Sequence, residues 1–373
     1  YNKKKFNIIH EKRQNQKALG DGAMKKIRLD NLEKFCVEAL VKTGMNRENA
    51  KIAAEALITT DTFGVMTHGT KNLYQYIQKM RAGGLDAAAQ PKVEGEGAAW
   101  AVINGNKAIG MVSASMAMKL AAEKAKKTGI AYVGVKNSCH FGAAGYYANM
   151  AANEGLIGIS MSNADPVMAV PNGRSKVIGT NPFSFAAPLA DGRSVFLDIA
   201  LSNVAALKVV AAYKNGKQIP DTWLVDENGL PTTDAAKFPQ NASLQPMGAH
   251  KGYGLAVLVE LLASVITGAG ILSEITSWNL DLSAENNAGH AFIAIDISKM
   301  MPRELYNARV TQMANELRNA PKAAGADRIY LPGEMEWDRR EQVLKSGVLE
   351  LNDEAAASLE ALSQDIGTEL IFV

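Results

Sequence analysis

Asn137-Ser138-Cys139-His140-Phe141-Gly142-Ala143-Ala144-Gly145-Tyr146-Tyr147 is the stretch on which the reading of the chain turns. Just before it, residues 130–135 (Ile-Ala-Tyr-Val-Gly-Val) form a short, mostly apolar, β-branched run that predicts a buried strand. Just after it, residues 143–153 set small residues and aromatics at helical spacing. His140 therefore sits where a strand hands over to a glycine-flanked helix start. In open α/β sheets ligands collect at the carboxyl ends of strands, where helix amides offer unpaired donors. The positive end of the helix disfavours imidazolium, so His140 is expected to be neutral near pH 7 and able to exchange a proton. The same spacing also suits a loop histidine that only caps a turn.

Upstream, residues 113–127 make an amphipathic helix closed by Thr128-Gly129, and residues 91–109 read as hairpin-like strands. Thr67-His68-Gly69 is a loop before a helix at 72–81. Thr67, His68, Asn72 and Tyr76 gather near that helix's start, the last three on one face. Such a group can hold a small polar ligand, or be a hydrogen-bonded turn and nothing more. Helices at 30–43, opened by the capping-box pattern Asp30 to Glu33, and at 46–62 are scaffold.

Downstream, residues 156–161 predict a strand neighbouring the first, and it delivers Ser162-Asn163-Ala164-Asp165-Pro166 within reach of His140. Strands at 183–187 and 194–198 are joined by Asp191-Gly192, and a helix follows at 202–213. Residues 217–246 read as a polar surface excursion, and the very apolar 255–267 as the central core helix. A strand is expected at 290–297, a helix at 303–319 and a strand at 328–334, then helix, strand and a last helix capped by Asp353.

The composition excludes several classes. With 47% hydrophobic and 21% charged residues and a net charge of +2, the chain has the make-up of a globular protein without a polyanion-binding bias. Two cysteines, Cys36 and Cys139, are too few for a disulfide framework, no Cys/His cluster has zinc spacing, and a reducing cytoplasm is expected. No apolar stretch is long enough for a bilayer span, and residues 1–23, basic but without an apolar centre, are expected to be a disordered or vector-derived extension. Gly268-Ala269-Gly270 follows a helix and Gly95-Glu96-Gly97 lacks a third glycine, so the Rossmann fingerprint is missing. There is no Walker loop, and Gly158-Ile159-Ser160-Met161-Ser162 fails as a nucleophile elbow at its last position. What remains is His68, His140, Asp165, Asp198, Lys251 and Glu334, all at strand or helix ends.

Thr67-His68-Gly69, residues 137–145, Gly179-Thr180-Asn181-Pro182, Pro220-Asp221-Thr222-Trp223 with Pro231-Thr232-Thr233-Asp234, Lys251-Gly252-Tyr253-Gly254-Leu255 and Leu331-Pro332-Gly333-Glu334 follow one another in a particular order. In these motifs the chain resembles the malate/L-lactate dehydrogenase type 2 family, which includes ureidoglycolate and sulfolactate dehydrogenases, diketogulonate reductase and piperideine-2-carboxylate reductase. The resemblance covers about residues 24–350.

It implies an α/β, non-Rossmann, NAD-dependent oxidoreductase (NADP being the other option) built as an intertwined homodimer. Its substrate is a small 2-hydroxy or 2-oxo acid, with a cyclic imino acid, a diketo acid or a non-catalytic nucleotide-binding role as alternatives. Neither nucleic acid nor membrane is a partner, and no metal is required. The implied segments are a helical, substrate-facing 24–110, a nicotinamide-binding 111–270 and a completing 271–373. His140 and His68 match the active-site histidines, with His140 as proton carrier supported by Asp165. Thr67, Asn72, Tyr76, Thr180 and Asn181 match the substrate side. Ala164, Asp198, Ile199, Ala200, His250, Lys251, Gly333, Glu334 and Met335 match the cofactor side. Relatives usually carry Arg at the position of Asn72, which leaves the identity of the acid open.

Overall fold

A computed structural model describes residues 24–373, so the expected extension at 1–23 lies outside the described residues. The organising element is a mixed seven-stranded sheet. In chain order its strands are β2 (Lys92–Glu96), β3 (Trp100–Asn104), β4 (Ile130–Ser138), β5 (Leu156–Ser162), β6 (Phe183–Pro188), β7 (Ser194–Ile199) and β11 (Ala288–Asp296). In space they run β2-β3-β4-β11-β5-β6-β7, and only β3 and β4 pair in parallel. The sheet thus draws strands from each of the three expected segments.

The expected pairing of β4 with β5 is not what forms. β11 inserts between them, antiparallel to both, with His290 opposite Val135 on one side and Ser162 on the other. Strands lie ~4.8 Å apart, so the insertion moves β5 to roughly 10 Å from β4.

Alternation buries Ala131, Val133 and Val135 of β4 beneath α4 (Gly110–Thr128), whose Ala114, Ala117, Met118, Ala121 and Ala125 recur at helical spacing. α5 (Ala144–Asn153) lies so close to β5 that a Cβ at Gly158 would stand 2.4 Å from the Ala148 carbonyl. Three helices precede the sheet: α1 (Leu29–Val41), α2 (Arg47–Thr62) and α3 (Leu73–Arg81). β1 (Lys25–Arg28) pairs with β12 (Val348–Leu351) near the other end of the chain.

Several local expectations need correction. α1 begins before Asp30, because β1 runs straight into it; Asp30 pairs with the Arg28 guanidinium instead of capping. The helix expected at 202–213 is only α6 (Ala206–Lys214). Residues 217–246 are more than an excursion: β8 (Leu224–Asp226), β9 (Pro231–Thr232) and β10 (Ala242–Leu244) form a small sheet with Leu224 and Leu244 fully buried.

The apolar run 255–267 belongs to α7 (His250–Glu260) and a π-turn at Leu261–Val265. It is not wholly core, since Leu255, Leu258, Leu261, Val265 and Ile266 are 40–56% exposed. After β11 come α8 (Ile297–Met300) and α9 (Arg303–Arg318). Residues 328–333 are irregular and not a strand, and α10 (Glu334–Ser346) follows. The cap of the final helix α11 (Asp353–Ile366) is Asn352, one residue before the expected Asp353. Among the described residues no helix is long and apolar enough to cross a membrane, and no cluster of His, Cys, Asp and Glu could hold a metal ion.

Candidate active site

His140 lies in the two-residue neck between β4 and the turn into α5, with its ring only partly buried. Its Nδ1 is 2.5 Å from the hydroxyl of Tyr76, which α3 places in the core, fully buried. The His68 ring stacks beside it with centroids 5.6 Å apart, and Thr67 Oγ1 is 2.9 Å from His68 Nδ1. Each histidine therefore has one nitrogen held by a hydroxyl. Nε2 of each has no hydrogen-bond partner within the described residues and is the atom left for a substrate.

Burial, then the neighbouring His68 and His290, hold the His140 imidazole well below the ordinary histidine range. The direction is the expected one, and desolvation is its largest source. Burial and the Lys71 ammonium lower His68 to about 4. Burial raises Tyr76 well above the ordinary phenol range, so its proton stays on.

The loop carrying His68 is fixed from below. Asp61 accepts from the Thr70 amide (2.9 Å) and hydroxyl (2.5 Å), and Gly69 has to be glycine there because a Cβ would fall 1.8 Å from Asp61 Oδ1.

Four of the expected substrate or catalytic residues make contacts within the fold. Asp165 lies beside Ser277 and Lys176 and makes no contact with His140, because β11 stands between β4 and β5. Asn72 is buried and donates to the Thr67 carbonyl (2.9 Å), bracing the loop before His68. Asn181 is fully buried, accepting from the Ala164 amide (3.1 Å) and donating to the Ala256 carbonyl (3.0 Å) and Glu260 (3.1 Å). Thr180 lends its carbonyl to the Leu201 amide (2.8 Å).

The expected cofactor segments converge along one hydrogen-bonded line. Asp198, at the end of β7 before Ile199 and Ala200, accepts from the Gly145 amide at the start of α5 (2.7 Å). Burial raises this carboxyl to about 6. Leu201 bridges to Thr180 and to Met247, just ahead of His250 and Lys251, both exposed at the start of α7. The Phe196 amide donates to the Pro332 carbonyl (3.1 Å), docking Gly333 against β7, while Met335 is exposed. Gly333 is left-handed (φ 83°), and a Cβ would meet Phe196 at 2.3 Å. Glu334 pins this turn: one oxygen accepts from the Leu331 amide (2.8 Å), the other pairs with Arg318 (3.0 Å) and Arg328. An exposed lysine and histidine at the start of α7, with a carboxyl at the end of β7, suit an anionic dinucleotide with hydroxyl-bearing sugars.

Two residues were not anticipated. Trp278 stacks on His140 with centroids 4.4 Å apart and planes 12° apart, and on Tyr76 at 5.0 Å. Its only signal was an aromatic standing in the polar run Ser277-Trp278-Asn279. His290 is fully buried, with Nδ1 on Ser162 and Nε2 on Ser138, both at 2.8 Å, and stacks under Phe141 at 4.5 Å.

The profile of the malate/L-lactate dehydrogenase family matches residues 27–360. The chain belongs to this family. It is an oxidoreductase of the dehydrogenase kind. It is 37% identical over 340 residues to a malate dehydrogenase of Pyrococcus abyssi, covering 89% of this chain and 93% of that one. It is 34% identical over 329 residues to the NAD(+) ureidoglycolate dehydrogenase of Escherichia coli O157:H7, covering 88% and 93%. The crystal structure of malate dehydrogenase from Entamoeba histolytica superposes with a TM-score of 0.87 at 32% identity, covering 94% of this chain and all of that one. The family assignment thus rests on the whole described fold, not on the histidine motifs alone.

Proposed function

We propose that this family member oxidises a small 2-hydroxy acid, or reduces the 2-oxo acid, with NAD(H) as redox partner, in the cytoplasm. The observation that carries the reading is His140: neutral, one nitrogen held by a phenol, the other open. Asp198, Ile199, Ala200, Ala164, His250, Lys251 and the Gly333–Met335 turn would hold the nicotinamide dinucleotide in a non-Rossmann manner. When bound, that group supplies the two-electron chemistry at C2. The protein's part is to orient the acid and move one proton.

In oxidation, His140 Nε2 takes the hydroxyl proton while Nδ1–H donates to the Tyr76 oxygen, which stabilises the imidazolium. In reduction, Nε2–H returns the proton to the carbonyl oxygen. The depressed basicity of His140 keeps the base form populated at neutral pH and makes the imidazolium a ready acid. Such catalysis contributes roughly 10²–10⁴-fold. His68, hinged on Thr67, is the second donor facing the same space.

The exposed apolar stripe Leu255, Leu258, Leu261, Val265 and Ile266 favours an intertwined homodimer that covers it. Light scattering at twice the chain mass, persistent on dilution, is expected; a folded, active monomer would contradict it. The activity is tested by following the near-ultraviolet absorbance of NADH and NADPH against a panel of 2-oxo acids and a cyclic imino acid. Turnover with the 2-oxo acids is expected; turnover of the imino acid alone, or of nothing, overturns the reading.

A further inference from the structure

Part of the segment between α7 and β11 forms a strap beside His140, and α3 holds it. Gln75 donates to the Asn279 carbonyl (3.1 Å), Tyr76 stacks on Trp278, and Lys79 donates to the carbonyls of Asp281 (3.0 Å) and Ala284 (2.6 Å). Lys79 is fully buried, so its ammonium is a fixed internal rivet and not a surface charge. Gly84 permits the approach: a Cβ there would lie 2.3 Å from the Leu282 carbonyl. A strap tied this firmly places one bulky side chain, Trp278, flat against the imidazole of the proton carrier.

That placement has a chemical meaning. Trp278 is half-buried, and its ring lies nearly parallel to that of His140. The cations on the neighbouring segments are held by contacts of their own: Lys71 by Glu354 (2.8 Å), Lys79 by carbonyls of the strap, and Lys176 by the Pro239 carbonyl. An acid, Asp165, lies beside Ser277, the neighbour of Trp278. A second carboxylate on the substrate would meet an aromatic face and an acid, whereas an alkyl or aryl side chain would gain apolar contact.

We propose that Trp278 is a specificity-determining residue that selects 2-oxo and 2-hydroxy acids with an uncharged, apolar side chain over dicarboxylates. This rests on the reading of His140 given above and names the substrate class for it.

The test compares 4-methyl-2-oxopentanoate with oxaloacetate, by NADH consumption and by calorimetric binding of the matching 2-hydroxy acids. In the wild type, kcat/KM for the branched acid should exceed that for oxaloacetate by at least ~10-fold. Trp278→Ala should cut that ratio by at least ~10-fold, and Trp278→Phe should restore most of it; general loss from misfolding would lower both substrates together and leave the ratio. A wild-type preference for oxaloacetate, or an unchanged ratio in both Trp278→Ala and Trp278→Leu at wild-type circular dichroism, overturns the assignment while the dehydrogenase reading stands. Binding that discriminates through Trp278 without turnover of either acid would instead overturn the reaction and keep the selectivity.

Discussion

His140 and His290 lie close together, one on each side of the Phe141 neck, and they are opposite kinds of histidine. His290 has both nitrogens bonded to serines and its ring closed off on strand β11. His140 has one nitrogen bonded to a phenol and the other open. Both are held below the usual histidine range by burial, His290 to about 3. A lowered pKa therefore does not distinguish a working histidine from a structural one. The open nitrogen does.

The largest effect expected from breaking this contrast is on turnover. His140→Ala should lower kcat by roughly 10²–10⁴ with cofactor affinity little changed, because acid-base loss acts on the transition state. Steady-state kinetics with calorimetric NADH binding check both halves; near-normal kcat would remove His140 from the role. Tyr76→Phe comes next. A hydrogen bond to a charged group contributes roughly 1.5–3 kcal/mol, so kcat should fall about 10- to 100-fold while KM moves less.

His290→Leu should reverse the pattern. Stranding the bonded serines should cost roughly 1–3 kcal/mol in urea unfolding, with kcat of the folded fraction within about threefold of wild type. A collapse of kcat at unchanged stability would make His290 part of the reaction.

The smallest effect is on pH dependence. The folded pKa of His290 lies below its unfolded value near 6.5, so protons favour the unfolded chain. Its contribution is present in full above about pH 6.5 and is lost as pH falls toward 3, by up to ~1.4 kcal/mol per pH unit. His290→Leu should flatten the acid slope of stability by that one proton. Asp61, raised by burial to about 7, acts in the opposite sense between its unfolded value and 7, so the comparison has to be variant against wild type.

Much of this was legible along the chain. The strand, neck and helix around His140 follow from local patterning, as do the 183–199 hairpin and the helix that brings Tyr76. What failed was adjacency between distant segments. Asp165 looked close to His140 because β4 and β5 follow each other, and nothing local announces that β11 enters between them. Trp278 meets His140 from far along the chain, through a strap with no periodicity to read. Asn72 and Asn181 are polar residues in motif positions, and sequence does not tell a side chain that faces a ligand from one that closes a backbone bond. The apolar run after Lys251 was read as core for want of any sign of which face another surface would cover.

The position of β11 also bears on how the chain is made. It is the last strand of the large sheet to be synthesised and yet lies near its middle, with β4 on one side and β5 on the other. On the ribosome β4 and β5 therefore each keep an open inner edge until residue 296 has emerged. Unpaired edges of apolar strands are sites of intermolecular pairing, and closing the gap requires contacts of high sequence separation. A nascent chain stopped before β11 carries two half-sheets, β2-β3-β4 and β5-β6-β7, that cannot yet share a core. Its exposure to aggregation ends only when that one strand slots in.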